Sequence, residues 1–423
     1  MRVGLQPVAL FPRGEPADGW RNRLIHGDLR VALPLLRREF RKKINVIYVD
    51  PPFDTGETFA CKATVRGEGQ GRQVAYEDRW VRAEYLAWLR GALEGLVELL
   101  HPRGSLFLHL DWRASHHGRL MLDELLTPGA FRAEIVWRYR RWPTRTANLQ
   151  RMHDTLLYYG SGPGAAPVFH TLYEPLAPST RKTFGTRRQR ADFSTGARRP
   201  GVLEEESPGA PLSDVWDIAI VAPSGRERMG YPTQKPEALL ERVLRLSSGE
   251  GDLVLDCCCG SGTTAAVAER LGRRWIACDQ GSVAIQTTLR RLLGRPGLRP
   301  LRVERLAGAE APGGGALSVR TRVEGLTAEI ELRGYRAPGG QRGLSWLGAW
   351  AVDGLHEAPV FRADGWFGRP HRGGAMPLRA RLTFRSAGVY PIALRAQDLL
   401  GNEARWEGSL AVPGFRHGPA AMR

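Results

Sequence analysis

The chain has 423 residues, 42% hydrophobic and 25% charged, which excludes an intrinsically disordered chain and leaves room for two or three folded domains. No run of about 18 apolar residues occurs, so no membrane span is expected, and the start of the chain lacks the apolar core and cleavage site of a signal peptide. The 61 basic residues against 44 acidic leave a formal charge of +17, which points to a polyanionic partner, while five cysteines, three of them consecutive at 257–259, exclude a disulfide framework and indicate the cytoplasm.

Residues 24–26 read as a short strand closing at Gly27 and Asp28, with a helix beginning near Asp28. Residues 45–49 (Asn-Val-Ile-Tyr-Val) form an apolar run that stops abruptly at Asp50, Pro51 and Pro52, the signature of a buried strand ended at its carboxyl end. Open parallel α/β sheets bind ligands just beyond such strand ends, so Asp50 stands where chemistry is done. Each proline fixes φ and removes an amide donor, so this loop offers carbonyl oxygens and one carboxylate, and Phe53 adds an aromatic face. That set suits a planar amine that gives both hydrogens to acceptors while its ring is stacked.

Residues 54–80, polar and marked by Gly56, Gly67, Gly69 and Gly71, read as a mobile loop. Leu86, Leu89, Leu93, Leu96 and Leu100 predict a helix over 84–100, ended by His101-Pro-Arg-Gly104. A strand over 105–111 again closes on an acid, Asp111; a helix near 115–126 and β-like runs at 133–137 and 155–159 follow. From about 138 to 230 periodicity fades. Arg138, Arg140, Arg141 and Arg145 interleave with Trp137, Tyr139 and Trp142, and a second basic cluster holds Arg181, Lys182, Arg187, Arg188, Arg190, Arg198 and Arg199. Basic residues among aromatics suit phosphate contact with base stacking, although the acidic run at 204–206 cannot share that face.

Regular patterning returns at Pro236. Residues 238–246 form an amphipathic helix, and 253–255 a buried strand ending at Asp256. The turn Cys257-Cys-Cys-Gly-Ser-Gly-Thr263 opens a helix over about 263–271, the next strand (274–278) closes at Asp279, and a helix runs to about 293. Gly260 and Gly262 allow a ligand close to the backbone at a helix N-terminus, and an acid 23 positions after Asp256 suits ribose hydroxyls. The same features fit a dinucleotide-binding loop, so an NAD-binding reading stands beside a methyl-donor one on this loop alone. Residues 294–315 read as a Gly/Pro/Arg-rich linker, and beyond them alternating runs near 317–323, 328–332, 379–384 and 389–395 predict a sandwich-like β module.

Taken together, the ordered stretches resemble the β-class DNA amino methyltransferases, the group that includes Type III modification subunits and similar adenine-specific enzymes. The match runs through Asn22-Arg-Leu-Ile-His-Gly-Asp28, Val49-Asp-Pro-Pro-Phe-Asp-Thr-Gly56, Ser105-Leu-Phe-Leu-His-Leu-Asp-Trp112, Glu134-Ile-Val-Trp137 and His153-Asp-Thr-Leu-Leu-Tyr-Tyr159. It continues through Asp214-Val-Trp-Asp217, Gly230-Tyr-Pro-Thr-Gln-Lys-Pro236 and Val254-Leu-Asp-x-x-x-Gly-Ser-Gly-Thr-Thr264, over about residues 20–295. The resemblance implies a Rossmann-like S-adenosylmethionine-dependent methyltransferase fold, α/β and circularly permuted, with an inserted target-recognition region and a C-terminal all-β module. The corresponding divisions are 1–137 (catalytic half), 138–230 (target recognition), 231–297 (cofactor half), 298–315 (linker) and 316–423 (β module).

By that resemblance Asp50, Pro51, Pro52 and Phe53 are catalytic. Asp256, Cys257, Cys258, Gly260, Gly262 and Thr263 line S-adenosylmethionine, Asp279 holds its ribose, Asp28 lies near its adenine, and Thr233, Gln234 and Lys235 reach its methionine carboxylate. The family usually has Pro and Phe where this chain has Cys257 and Cys258, which reduces the apolar surface offered to the cofactor. Three adjacent cysteines do not chelate one ion easily, and no metal is expected. The implied reaction methylates the exocyclic amine of adenine flipped out of duplex DNA, with Phe53 as stacking face. The absence of a Pro-Cys dipeptide argues against methylation at cytosine carbon. Cytosine 4-amino transfer, RNA amino transfer and a catalytically silent DNA-binding relative are the alternatives. Arg138, Arg140, Arg141, Arg145, Arg181, Lys182, Arg187, Arg188 and Arg190 are the expected DNA contacts. A homodimer and a restriction subunit are the protein partners left open, with the work done in the bacterial cytoplasm at the nucleoid. Residues 388–402 resemble the last strands of PKD- or Ig-like domains.

Overall fold

Residues of the Asp50 strand pack alternately to both sides of a sheet. Val46 and Tyr48 join one core with the later helices, and Ile47 and Val49 join a second core with the earlier ones. Burial on both faces is what makes a parallel strand read as a continuous apolar run. A computed structural model describes residues 4–413 apart from 144, 163–164, 193–195, 197–198, 310–311 and 371–374.

The first part of the chain runs β1 (Leu5–Phe11), β2 (Asn22–His26), α1 (Leu29–Phe40), β3 (Ile44–Val49), β4 (Glu57–Val65), β5 (Gly69–Asp78), α2 (Arg82–Val97), β6 (Leu100–Leu110) and α3 (Ser115–Leu126). The middle comprises β7 (Phe131–Arg138), β8 (His153–Gly160), β9 (Tyr173–Glu174), α4 (Pro178–Phe184), β10 (Arg187–Asp192), β11 (Arg199–Glu206), β12 (Ala210–Pro211) and β13 (Val215–Asp217). Then come α5 (Glu237–Ser247), β14 (Leu253–Asp256), α6 (Thr263–Arg270), β15 (Arg274–Asp279), α7 (Ser282–Leu293) and β16 (Leu301–Leu306). The C-terminal strands are β17 (Gly314–Glu324), β18 (Thr327–Arg336), β19 (Leu347–Asp353), β20 (Phe361–Arg362), β21 (Gly365–Gly368), β22 (Arg379–Thr383), β23 (Gly388–Asp398) and β24 (Glu403–Val412).

The main sheet has the order β13-β7-β8-β6-β3-β14-β15-β2-β16-β1-β20, parallel from β6 through β16. Helices α1, α2 and α3 cover one face; α5, α6 and α7 cover the other. Strands β3 and β14 lie about 200 positions apart in sequence yet pair directly, with Val46 opposite Val254 and Tyr48 opposite Asp256. The permuted order therefore sets Asp50 and Asp256 at neighbouring strand ends, on the side where such sheets bind ligands. This is the doubly wound, Rossmann-like architecture expected above.

Four segments differ from expectation. Residues 57–78 are a β-hairpin rather than a loop. Ala63 and Val65 pack against the C-terminal core, and Cys61 packs with Tyr231, Val283 and Ala284. Gly71 marks a close approach there, since a Cβ would come within 2.7 Å of Leu400 Cδ1 and 2.9 Å of a Trp346 ring carbon. Second, β6 starts at Leu100, so His101 to Gly104 belong to the strand that follows α2. Third, the 298–315 stretch is more than a linker: β16 pairs parallel to β2 and antiparallel to β1, with Leu301, Val303 and Leu306 buried. Its alternation was masked by glycine- and proline-rich flanks. Fourth, the C-terminal module is one seven-stranded sheet, β21-β19-β23-β24-β17-β18-β22, whose inner side chains gather in a single core around Trp346 and Trp350. Its β20 crosses to the main sheet and pairs with β1, and Arg13 forms ion pairs with Asp353 and Asp364.

Candidate active site

The carboxyl ends of β3, β14 and β15, the hairpin β4–β5 and the segment 231–235 enclose a cavity of about 150 Å³. All fifteen expected residues from Asp28 to Asp279 fall on or beside it: Asp50, Pro51, Pro52, Phe53, Asp28, Thr233, Gln234, Lys235, Asp256, Cys257, Cys258, Gly260, Thr263 and Asp279 line it directly, with Gly262 in the same turn. A larger cavity of about 670 Å³ adjoins it, sharing Phe53, Thr55 and the stretch 231–235, and lined farther out by Trp112, Tyr139, Arg141, Trp142 and Arg151. The two meet at Phe53 and Lys235.

Asp50 uses its two oxygens differently. Oδ2 accepts from Lys235 Nζ at 2.5 Å. Oδ1 is buried and has no hydrogen-bond partner among the described residues; His109 Nδ1 lies 3.9 Å from it. A buried acceptor without a donor costs free energy, and such a cost is usually met where a ligand brings the donor. The ammonium of Lys235 also lies 5.2 Å from the Phe53 ring centroid. Behind Asp50 runs a buried polar chain absent from the sequence reading. Tyr48 Oη lies 2.7 Å from His109 Nδ1, His109 Nε2 lies 3.4 Å from Asp154 Oδ2, and Tyr139 Oη donates to Asp154 Oδ1 at 2.9 Å. With Nε2–H directed at the carboxylate, Nδ1 accepts from the tyrosine, which orients the ring. These residues sit on β3, β6 and β8 and just after β7, so no local motif could have joined them.

The loop after the two prolines is held by Asp78 at the end of β5. Its carboxylate accepts from the backbone N–H of Phe53 (3.2 Å), Asp54 (3.0 Å) and Thr55 (3.0 Å) and from the Thr55 hydroxyl (2.8 Å). Asp54 sits at φ 56° and Thr233, across the cavity, also at φ 56°, both uncommon for non-glycine residues and each sustained by its surroundings. The hairpin also reaches across the cavity: Tyr76 Oη is 3.1 Å from Thr233 Oγ1, and its ring stacks with Phe59.

On the other side, Gly262 caps α6 at φ 71°, where a Cβ would fall 2.6 Å from Thr288. Asp279 accepts from Gly260 N at 2.9 Å and Gly281 N at 2.8 Å. The Thr263 hydroxyl donates to the Lys235 carbonyl at 3.0 Å, tying the glycine loop to the lysine that pairs with Asp50. Cys257 and Cys259 are buried with thiol pKa values pushed well up by burial, so they act as small apolar loop residues. Two of the residues expected at a methionine carboxylate also have partners within the protein. Lys235 is paired with Asp50. Gln234 spends its amide on the backbone of Met229 (2.8 Å) and Glu227 (2.7 Å). Asp28 caps α1 through Arg30 N and pairs with the Arg30 guanidinium at 2.6 Å, still at the cavity edge.

Burial pushes the Asp256 carboxyl up to about 7 and that of Asp279 up to about 6. An acid whose folded pKa lies above its unfolded value contributes stability at low pH that is lost as pH rises through the folded value. Between about pH 4 and 7 these two acids therefore destabilise the cofactor-free fold progressively. His26, lowered to about 4 by burial, acts in the opposite sense as pH falls. Thermal melting from pH 5 to 8 checks this by comparison: Asp256→Asn should gain on the parent protein as pH rises, and parallel melting curves at every pH would contradict it.

The expected DNA contacts are spread over the middle of the chain. Arg141 lies 4.9 Å over the Tyr139 ring at the larger cavity. Arg138 is paired with Asp217, Arg188 with Glu205, and Arg140, Arg145, Arg181, Lys182 and Arg187 are exposed. Arg198 and the side chains of Arg190 and Arg199 lie outside the described residues. The acidic partners of Arg138 and Arg188 reduce their availability to phosphate. Arg113 and Arg151, at the larger cavity, were not anticipated.

A family model described as DNA methylase, covering N6 and N4 amino transfer, matches residues 44–290, more than half of the chain. The chain belongs to this family. The methylase is 28% identical over 302 residues to the DNA adenine methyltransferase YhdJ of Escherichia coli K12, covering 69% of the chain and 87% of that protein. It is 26% identical over 261 residues to the Type II methyltransferase M.HpaI of Haemophilus parainfluenzae, covering 62% of the chain and 72% of that protein. Among solved structures it resembles the cytosine-N4-specific PvuII DNA methyltransferase at 16% identity and a TM-score of 0.43, over 70% of this chain and 92% of that one. The M1.HpyAVI–SAM complex matches at 18% identity and a TM-score of 0.40, over 64% and 98%. As a family member the methylase is an S-adenosylmethionine-dependent DNA amino methyltransferase.

Proposed function

We propose that the methylase acts on the 6-amino group of adenine flipped out of duplex DNA, with Asp50 and the Pro51 carbonyl as acceptors for the two amine hydrogens. The observation that carries this is the buried, unpartnered Asp50 Oδ1 at the junction of the two cavities. Asp at position 50, and the adenine specificity in the name of the 28% identical relative, support adenine over cytosine.

The residues present fit S-adenosylmethionine. Asp279 keeps lone pairs for ribose hydroxyls after its two amide contacts, and the Gly260 to Gly262 backbone lets a ligand approach α6. When bound, the cofactor supplies an electrophilic methyl group on a sulfonium. The protein's part is positioning and electrostatics. Asp50 Oδ1 and the Pro51 carbonyl would accept both amine hydrogens and favour a tetrahedral nitrogen, whose lone pair is then withdrawn from ring conjugation and free to attack. Lys235 holds the other Asp50 oxygen and fixes the carboxylate's direction. Phe53 offers the ring on which the base rests, itself held by Asp78 through the backbone.

DNA from a methylation-free bacterial host expressing the protein should contain N6-methyladenine on nucleoside mass analysis, at one sequence motif. N4-methylcytosine in its place would redirect the reading to the cytosine amine, and label found only in RNA would overturn it.

A further inference from the structure

Residues 139–152 join β7 to β8 as a loop with a closed neck, where Tyr139 N donates to Met152 O at 2.8 Å. Beside the neck, the Arg151 guanidinium pins the loop to the connection after β6, 3.8 Å from the Trp112 ring centroid, while Arg113 lies over the same ring at 5.0 Å. Between these anchors the loop shows two large apolar side chains to solvent. Trp142 is 89% exposed and Leu149 87%. A tryptophan that buries almost none of its surface contributes little to the fold and is free to meet a partner. Both side chains border the cavity that leads to Asp50 and Phe53, and Arg140, Arg141, Arg145 and Arg151 flank them along the chain.

An apolar tip inside a cationic rim matches one occupant above others: a polyanion with an apolar interior, which is stacked duplex DNA. Phosphates would meet the arginines, and the tip would meet the base stack. We propose that Trp142, supported by Leu149, is the wedge that enters the duplex and fills the space left by the flipped base. The inference rests on the methylation reading above. Removing a base from the stack costs a few kcal/mol, and a ring that replaces it in the stack offsets part of that cost. The wedge thus acts on the extrusion step, and Asp50 on the chemistry that follows.

The test exploits a base that is already loose. Once the motif has been read by sequencing methylated DNA, single-turnover rates are compared on a duplex carrying it and on the same duplex lacking the base opposite the target. Trp142→Ala should slow methylation of the paired duplex by about tenfold to a hundredfold, and that of the unpaired target by less than about threefold. Trp142→Phe should restore most of the loss. An equal loss on both duplexes, as from a broken protein–protein or phosphate contact, would overturn the wedge, as would no loss on the paired one. Failure of the methylation reading shows separately, as native protein inactive on both duplexes, and removes this proposal with it.

Discussion

Asp50→Ala is expected to lower methyl transfer by on the order of a thousandfold while S-adenosylmethionine still binds. The change removes a buried carboxylate oxygen that the described residues leave without a donor, and frees Lys235 from its 2.5 Å partner. Gly260, Gly262 and Asp279, the residues proposed to hold the cofactor, are untouched, so calorimetric cofactor affinity should change far less than the rate. Asp50→Asn sharpens the comparison, because it keeps the size and one acceptor but presents an amide and loses the charge that holds Lys235. Substantial turnover by Asp50→Ala on DNA that the native protein methylates would remove Asp50 from the chemistry.

Asp78→Ala should come next in effect, although the Asp78 carboxylate is taken up by the backbone and hydroxyl donors of residues 53–55. Three backbone amides and one hydroxyl in residues 53–55 lose a shared carboxylate in a buried place. Leaving such donors unsatisfied costs on the order of 3 kcal/mol, enough to release the loop locally and lower stability globally. Because Phe53 hangs from the first of those amides, kcat should fall more than the apparent affinity for cofactor. Limited proteolysis should report new cleavage near residues 53–56; unchanged kcat together with unchanged cleavage would show that the loop holds itself. Asp78→Asn, which retains one carbonyl acceptor, should recover part of the activity.

The strands that carry Asp50, Asp256 and Asp279 were legible because each is buried on both faces and stops at an acid. Local pattern sufficed for those residues, and their ordered motifs sufficed for the family. The hairpin was not legible, because Gly67, Gly69 and Gly71 look like loop punctuation until Trp346 and Leu400, some 300 positions away, are placed against Gly71. The motif marks Lys235 as a charge for an anion, and within the protein the anion it meets is Asp50, a pairing between segments 185 positions apart that no local pattern encodes. His109 and Asp154 lie inside motifs that were recognised, yet their pairing depends on the antiparallel register of β6 and β8, which periodicity does not encode. The N-terminal strand β1 was missed for a related reason. Its Pro7 and half-exposed face hide a strand whose partners, β16 and β20, come from the other end of the chain.

The seat of Gly71 against Trp346 and Leu400 has a consequence for how this protein can be divided. The hairpin stands on the C-terminal sheet at one end and holds the Phe53 loop through Asp78 at the other. The last hundred residues are thus part of the lever that sets the reactive loop, even though none of those described borders the smaller cavity. A chain cut before Gly313 would keep every motif by which the family is known and lose the footing on which those motifs are aligned.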